Sequence, residues 1–405
     1  MPNGRYRSLL VASHPVQYAA PLFRQMAQHP KLDIEVAYCS LQGAEQARDS
    51  EFGVEFKWDI PLLEGYPWVK IDNKSPWPGL GRFFGLINPG LWRLIASGGY
   101  DVVVIYTGYM YLSFWIALVA AKFHRRVLIF GTDGHEVGSK EGKRWKTKVK
   151  RVFWPRLFGL ADVVLIASSR GAAMMQALGI SSERVALTPS VVDNDWWIKE
   201  AEKVDRAAVR IGWGVPPEGS VVLFSGKLQP WKCPSDILRA FAQANVPNAH
   251  LVYAGDGPLH RELESQAASL GVADRVHFLG FLNQSQLPAV YRASDVLVLA
   301  SSYETFGLVV NEAMLCRCPA IVSDRVGASD DLVLSGRTGC TYPWGDIDAL
   351  AALLRELLPD RERLRRMGEA ARNRMETWSP RESIEGIVEA FEKGVCLKSS
   401  GALAP

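Results

Sequence analysis

Residues 296–313 read Val296-Leu297-Val298-Leu299-Ala300-Ser301-Ser302-Tyr303-Glu304-Thr305-Phe306-Gly307-Leu308-Val309-Val310-Asn311-Glu312-Ala313. The apolar, partly β-branched start has the pattern of a buried strand, a polar loop follows, and from Leu308 the apolar positions take helical spacing. A strand feeding a helix through a glycine-bearing loop leaves N–H groups near Gly307 and Leu308 at the positive end of the helix, where phosphate binds. Glu304 falls in the loop and Glu312 in the first helical turns, and carboxylates in such places accept sugar hydroxyls.

The same unit repeats in both directions. Strand patterns fall at 8–12, 32–38, 102–106, 126–130, 163–167, 221–224, 250–254, 276–279, 296–299 and 320–322, with helical patterns such as 19–28, 234–244, 259–270, 284–292 and 347–358 among them. Such alternation predicts an α/β protein with parallel sheets wrapped by helices and ligands outside the carboxyl ends of the strands. It lapses at 193–220, which ends in a Gly/Pro cluster unsuited to any regular element. The expected organisation is therefore one domain over 1–198, a second over 199–376, and a closing helix over 377–397. In the closing segment Pro380 stands near the first helical position, ahead of apolar residues at 384, 387, 388 and 391.

The chain has 405 residues, 48% hydrophobic and 22% charged, which is globular composition and length for two or three domains of roughly 150 residues. A net charge of +3 is too balanced to imply nucleic-acid binding. The basic excess lies in the first half. Cysteines 39, 233, 316, 318, 340 and 396 form neither a paired framework nor a zinc spacing, so reduced thiols, no metal and a cytoplasmic location are expected. No signal peptide is read at the start, where the apolar run 9–12 is too short. The uncharged stretch 102–121 has the length of a bilayer span, about 20 residues, but its β-branched beginning and Tyr-Thr-Gly-Tyr interruption favour a strand, a loop and a helix.

A second phosphate-binding segment follows the strand at 221–224. Gly226 permits close backbone approach, and Lys227 and Lys232 precede the next helix, making a metal-free diphosphate clamp. Lys227 alone is equally well a solvated surface charge; the pair beside the Glu304 loop favours the clamp.

Gly226-Lys227-Leu228 with Lys232, Tyr253-Ala254-Gly255-Asp256-Gly257-Pro258, Val276-His277-Phe278-Leu279-Gly280-Phe281, Glu304 with Glu312, Ala313-Met314, Pro319, Val326-Gly327, Gly336-Arg337-Thr338-Gly339 and Asp346 together resemble the retaining nucleotide-sugar glycosyltransferases of family 4. The resemblance covers about 221–358, in the family's order. It implies the GT-B fold, two Rossmann-like domains with parallel sheets facing across a cleft. It also implies site roles. Glu304 contacts the donor sugar, Glu312 holds the ribose diol, and Lys227 and Lys232 neutralise the diphosphate. Phe306, Gly307, Leu308 and Val309 lie along the donor, the first three through backbone amides, and Gly280 and Phe281 frame the base. Three departures stand out: Lys227 replaces a usual Arg and loses its forked geometry, Cys233-Pro234 stands where a Gly commonly follows the clamp lysine, and Asp331 stands where Glu is usual.

The amino half resembles the family more loosely. His14 follows the first strand, as an acceptor-side contact or a structural histidine. His135, after the strand at 126–130, takes the position implied to face the donor sugar; Asp133 is the alternative in register, and a loop-stabilising Asp with a surface His is the plainer reading. Acceptor contacts are expected from 106–111, Tyr109 among them, and from the aromatic loop 76–85. Residues 140–156 carry eight cations and one acid. On a helix, Trp145, Val149, Val152 and Phe153 share a face, which suits either an anionic membrane surface or packing on the sheet.

The expected reaction is transfer of a sugar from a nucleoside diphosphate to an acceptor hydroxyl of a glycan, glycolipid or lipid-linked acceptor, with configuration retained. No cofactor or metal is needed, a UDP-sugar is the default donor, and attachment at the inner face of the membrane is one option. A nucleotide-sugar epimerase, a phosphorylase, or a sugar-nucleotide-binding protein without turnover are the alternatives; no segment matches the pyridoxal-phosphate lysine of a phosphorylase.

Overall fold

The computed structural model describes residues 4–45, 47–48, 55–56, 58–137 and 144–399. Residues 138–143, which include the start of the basic segment, lie outside them. The chain divides into two compact units, one of residues 1–47, 56–190 and 380–405, the other of 48–55 and 191–379. The division after Ser190 falls eight residues ahead of the boundary read from the sequence, and the closing helix belongs to the first unit.

The first unit is a seven-stranded parallel sheet. Its strands are β1 (Tyr6–Ala12), β2 (Leu32–Tyr38), β3 (Trp68–Lys70), β4 (Val102–Ile105), β5 (Val127–Thr132), β6 (Val163–Ile166) and β7 (Val185–Leu187), in the spatial order β3-β2-β1-β4-β5-β6-β7. The central strands are buried along their length, as a sheet covered on both faces requires. Helices α1 (Ala19–Gln28), α2 (Leu112–Phe123) and α3 (Arg144–Gly159) belong to this unit. The uncharged stretch 102–121 is therefore β4, a loop and most of α2, and no described helix is long and apolar enough to cross a membrane.

The second unit is a six-stranded parallel sheet of β8 (Ser220–Ser225), β9 (Ala249–Ala254), β10 (Val276–Phe278), β11 (Val296–Leu299), β12 (Ala320–Ser323) and β13 (Gly339–Tyr342), ordered β10-β9-β8-β11-β12-β13. Five helices matter below: α4 (Arg206–Gly212), α5 (Pro234–Ala244), α6 (His260–Ser269), α7 (Leu308–Leu315) and α8 (Arg361–Arg374). Helix α5 starts on a proline and buries Ile237, Leu238 and Phe241 at helical spacing; α8 is capped by Asp360, whose side chain accepts from the Arg363 N–H.

The last described element, α9 (Pro380–Ser399), packs on β5, β6 and β7 of the first sheet. Two glycines allow the approach: a Cβ on Gly386 would sit 2.0 Å from the Leu187 carbonyl oxygen, and one on Gly394 would sit 2.5 Å from Val127 Cγ1.

Candidate active site

Strands β8 and β11 are neighbours, with Val222 opposite Val296, and the strand order reverses between them. Loops leaving such a pair diverge to opposite faces of the sheet and open a crevice. The β8 loop carries Gly226, Lys227 and Lys232; the β11 loop carries Ser301 to Gly307. The two are stitched together: the Ser302 N–H donates to the Trp231 carbonyl at 2.8 Å and Ser302 Oγ donates to the same oxygen at 3.1 Å.

Across that stitch Lys232 Nζ donates to Glu304 Oε2, with only 17% and 15% of the two side chains exposed. Ser301 Oγ donates to the same oxygen at 3.4 Å. Desolvation of two enclosed charges offsets most of their attraction, so the pair fixes position more than it adds stability. The lysine read as a clamp is thus held by the carboxylate read as a sugar contact.

Backbone contacts set the loops around this pair. Gly226 (φ +142°) and Gly255 (φ +141°) meet so closely that a Cβ on Gly255 would stand 1.9 Å from the Gly226 carbonyl oxygen. Gly255 also donates to the Gly280 carbonyl at 2.8 Å, which brings the loops after β8, β9 and β10 together. Gly307, at φ +98°, is the residue before α7 and offers no side-chain cap. Gly327 and Ala328 donate to the carbonyls of Glu304 and Phe306 at 3.1 and 2.8 Å. The Phe306 ring is buried and stacks on Trp378, with centroids 5.8 Å apart, so only its backbone is left for a ligand. Leu308 and Val309 form the first turn of α7, half-buried. Lys227 and Phe281 are half-buried in their loops.

Glu312 lies farther along α7. Tyr291 OH donates to its Oε2 at 2.7 Å, and Ser225 Oγ lies 2.9 Å from the same phenol. With the phenol proton committed to the carboxylate, the serine is the donor in the second contact. Burial, opposed by the tyrosine hydrogen bond, pushes the Glu312 carboxyl up to about 7. Tyr291, Ser301 and Trp378 were missed in the sequence because each sits within an ordinary pattern and reaches its partner only in the folded unit.

In the first unit His135 is buried and Asp133 exposed, with Gly134 between them donating to Thr132 Oγ1 at 3.1 Å. Asp133 lies near the phenols of Tyr18 and Tyr106. His14 is half-buried beside Ser13 Oγ, 2.9 Å from its Nδ1, and burial holds its imidazole below the usual value. Tyr109 is already engaged: its hydroxyl accepts from Trp154 Nε1 at 3.2 Å and its ring meets Phe153 edge-on. These contacts hold the loop ahead of α2 against α3. The apolar stripe of α3 also divides. Phe153 is half-buried against the core of the unit, whereas Trp145, Val149 and Val152 are 63%, 55% and 61% exposed, so packing accounts for one of the four stripe residues. Among the described residues no group of three or more His, Cys, Asp or Glu could hold a metal ion.

Residues 205–374 match the family model "Glycosyl transferases group 1", and residues 15–190 match "Glycosyl transferase 4-like domain". A GDP-mannose-dependent alpha-(1-6)-phosphatidylinositol monomannoside mannosyltransferase of Mycolicibacterium smegmatis is 30% identical over 292 residues, covering 69% of this chain and 73% of that protein. The chain belongs to the glycosyl transferases group 1 family. As a family member it is a glycosyltransferase, in keeping with the resemblance read from its motifs. A D-inositol 3-phosphate glycosyltransferase of Nocardia farcinica is 32% identical over 54% of the chain, which spans 49% of that relative. The fold is similar to that of Anabaena HepE, solved in complex with UDP, with a TM-score of 0.72 at 20% identity over 96% of this chain and 99% of that one. The two Rossmann-like parallel sheets are those of the GT-B class.

Proposed function

We propose that this glycosyltransferase moves a hexose from a nucleoside diphosphate to a hydroxyl of a lipid-linked acceptor, with retention of configuration. The observation that carries the donor half is the juxtaposition of Lys232, Glu304 and the start of α7 at the strand-order reversal. On this reading the diphosphate takes Lys232 from Glu304 and sits against Lys227 and the amides of Gly307 and Leu308. The freed carboxylate then accepts sugar hydroxyls, and Glu312 accepts the ribose diol. Gly280 and Phe281 border the base. Charge growing on the departing diphosphate is stabilised by groups already in position, which is the largest contribution such a site can make. Glu304 orients the sugar, and retention follows from attack on the face the leaving group vacates. His135, Asp133 and His14 belong to the first unit and are assigned to sugar and acceptor.

The acceptor half rests on α3. Exposed Trp145, Val149 and Val152 stand beside exposed Lys148 and Arg151, a combination that inserts into an anionic lipid surface. The relative named for a phosphatidylinositol mannoside supports a lipid-linked acceptor and makes GDP-mannose a donor to test alongside the default UDP-sugars. The deciding experiment incubates the chain with UDP- and GDP-sugars and lipid extracts, and follows nucleoside diphosphate release and the anomeric configuration of the product by NMR. Transfer from one donor with retention is expected; inversion, or donor binding without transfer to any acceptor, overturns the reading. For the membrane, flotation with anionic vesicles should fail in W145S/V149S/V152S.

A further inference from the structure

The opposite end of the second sheet, at the amino ends of its central strands, holds a second concentration of charge. Near the first residues of β8 and β11 lies a cavity of about 590 Å³ lined by Arg206, Arg210, Arg292, Arg317, Arg361 and Arg365. Three carboxylates share it, Asp295, Glu362 and Glu369, and all three are engaged. Asp295 receives Arg206, Arg210 at 2.6 Å and the Val221 N–H at 2.6 Å. Glu362 receives both Arg365 nitrogens, at 2.8 and 3.0 Å, and Glu369 stands 3.3 Å from Arg317. Two guanidinium groups remain without a carboxylate. Arg361 donates only to the carbonyls of Glu218 and Gly219, and the guanidinium of Arg292 makes no hydrogen bond or ion pair among the described residues. Burial, followed by the like charges of Arg206 and Arg317, pulls Arg292 below the ordinary arginine value.

Six arginines against three carboxylates leave a concave site with an excess of positive charge, although Arg210 and Arg361 also donate to backbone carbonyls. We propose that this cavity is an anion site, separate from the donor site, that takes a small ligand bearing two or more phosphoryl groups. Guanidinium forks match phosphate oxygens in pairs, and the volume is that of a small-ligand pocket, about 300–1,000 Å³. The cavity lies at the amino ends of the strands whose carboxyl ends carry Gly226 and Ser301, a strand length away, about 20 Å for six residues. A ligand here therefore leaves the donor phosphates untouched.

The test is calorimetric titration of inorganic pyrophosphate into the full chain with UDP or GDP present at saturation, so that the nucleotide occupies its own site. One pyrophosphate per chain is expected, with affinity reduced at least tenfold in R292Q/R361Q, partly restored in R292K/R361K, and nucleotide affinity unchanged. In the absence of pyrophosphate R292Q should melt no lower than the parent, because it removes a repelled charge; a merely structural arginine would lower the melting point. Absence of binding in the parent, or an isotherm unchanged in R292Q/R361Q, overturns the proposal. A phosphorylated lipid headgroup offers the same chemistry. Flotation with vesicles containing phosphatidylinositol bisphosphate that pyrophosphate competes away and R292Q/R361Q abolishes assigns the ligand to lipid, and pyrophosphate binding without such flotation assigns it to a soluble polyphosphate.

Discussion

Lys232 and Glu304 form an ion pair between the loops of two adjacent strands, so the ammonium suited to a diphosphate and the carboxylate suited to a sugar are each other's partners. Removing one frees the other. Glu304→Ala should keep or improve nucleoside diphosphate affinity while transfer is lost. Lys232→Ala should weaken the nucleotide about 10- to 100-fold, the range for losing a charge-assisted hydrogen bond of ~1.5–3 kcal/mol. Titration calorimetry and a transfer assay measure both, and turnover surviving in Glu304→Ala would remove that residue from the site.

Glu312 gives a pH dependence with a definite sign. Its carboxyl, raised from 4.5 to about 7 by burial, keeps its proton in the folded chain after the unfolded chain has lost it. Its contribution to stability is full below about 4.5 and is lost as pH rises through about 7. Nucleotide affinity should move the other way, rising across neutral pH as the carboxylate becomes able to accept a diol. Glu312→Gln should flatten both curves, read by chemical unfolding and by nucleotide titration from pH 5 to 8.

Cys233 occupies a left-handed backbone conformation, φ +50° and ψ +46°, between the Lys232 turn and α5. Left-handed geometry costs a side-chain-bearing residue ~1 kcal/mol or more, part of which glycine returns as unfolded-state entropy. Cys233→Gly should therefore stabilise the chain by ~0.5–1 kcal/mol, and the β-branched Cys233→Val should destabilise it, both measured in denaturant melts.

A methyl group at Gly255 would be 1.9 Å from the Gly226 carbonyl oxygen, whereas one at Gly159 would meet nothing within 4 Å. Gly255→Ala should cost more than ~2 kcal/mol and weaken nucleotide binding by displacing the Lys227 loop. Gly159→Ala should be neutral or mildly stabilising, and comparison of the two melts separates local strain from a general effect of losing glycine.

His250 and His277 face each other across β9 and β10, with ring nitrogens 3.0 Å apart, and burial holds both below the usual histidine value. The unfolded chain takes up protons that the folded chain refuses, so stability is present above about pH 6.5 and falls as the solution is acidified. His277→Gln should shallow that acid limb.

Strand–helix alternation, the two sheets, and the loops bearing Gly226, Lys232, Glu304 and Glu312 could be read from the chain because hydrophobic period and glycine placement are local properties. Only the folded units decided which side chains meet. Lys232 finds Glu304, Tyr291 reaches Glu312, and Phe306 stacks on Trp378, contacts between distant segments that no local spacing encodes. The α3 stripe was ambiguous for the same reason: amphipathic spacing says that one face is apolar, and the rest of the fold chooses whether that face is covered. Here Phe153 is half-buried against the core while Trp145, Val149 and Val152 stay exposed. The arginine cavity was invisible along the chain, since its six cations come from separate segments and their excess over carboxylates exists only where the amino ends of the central strands gather them.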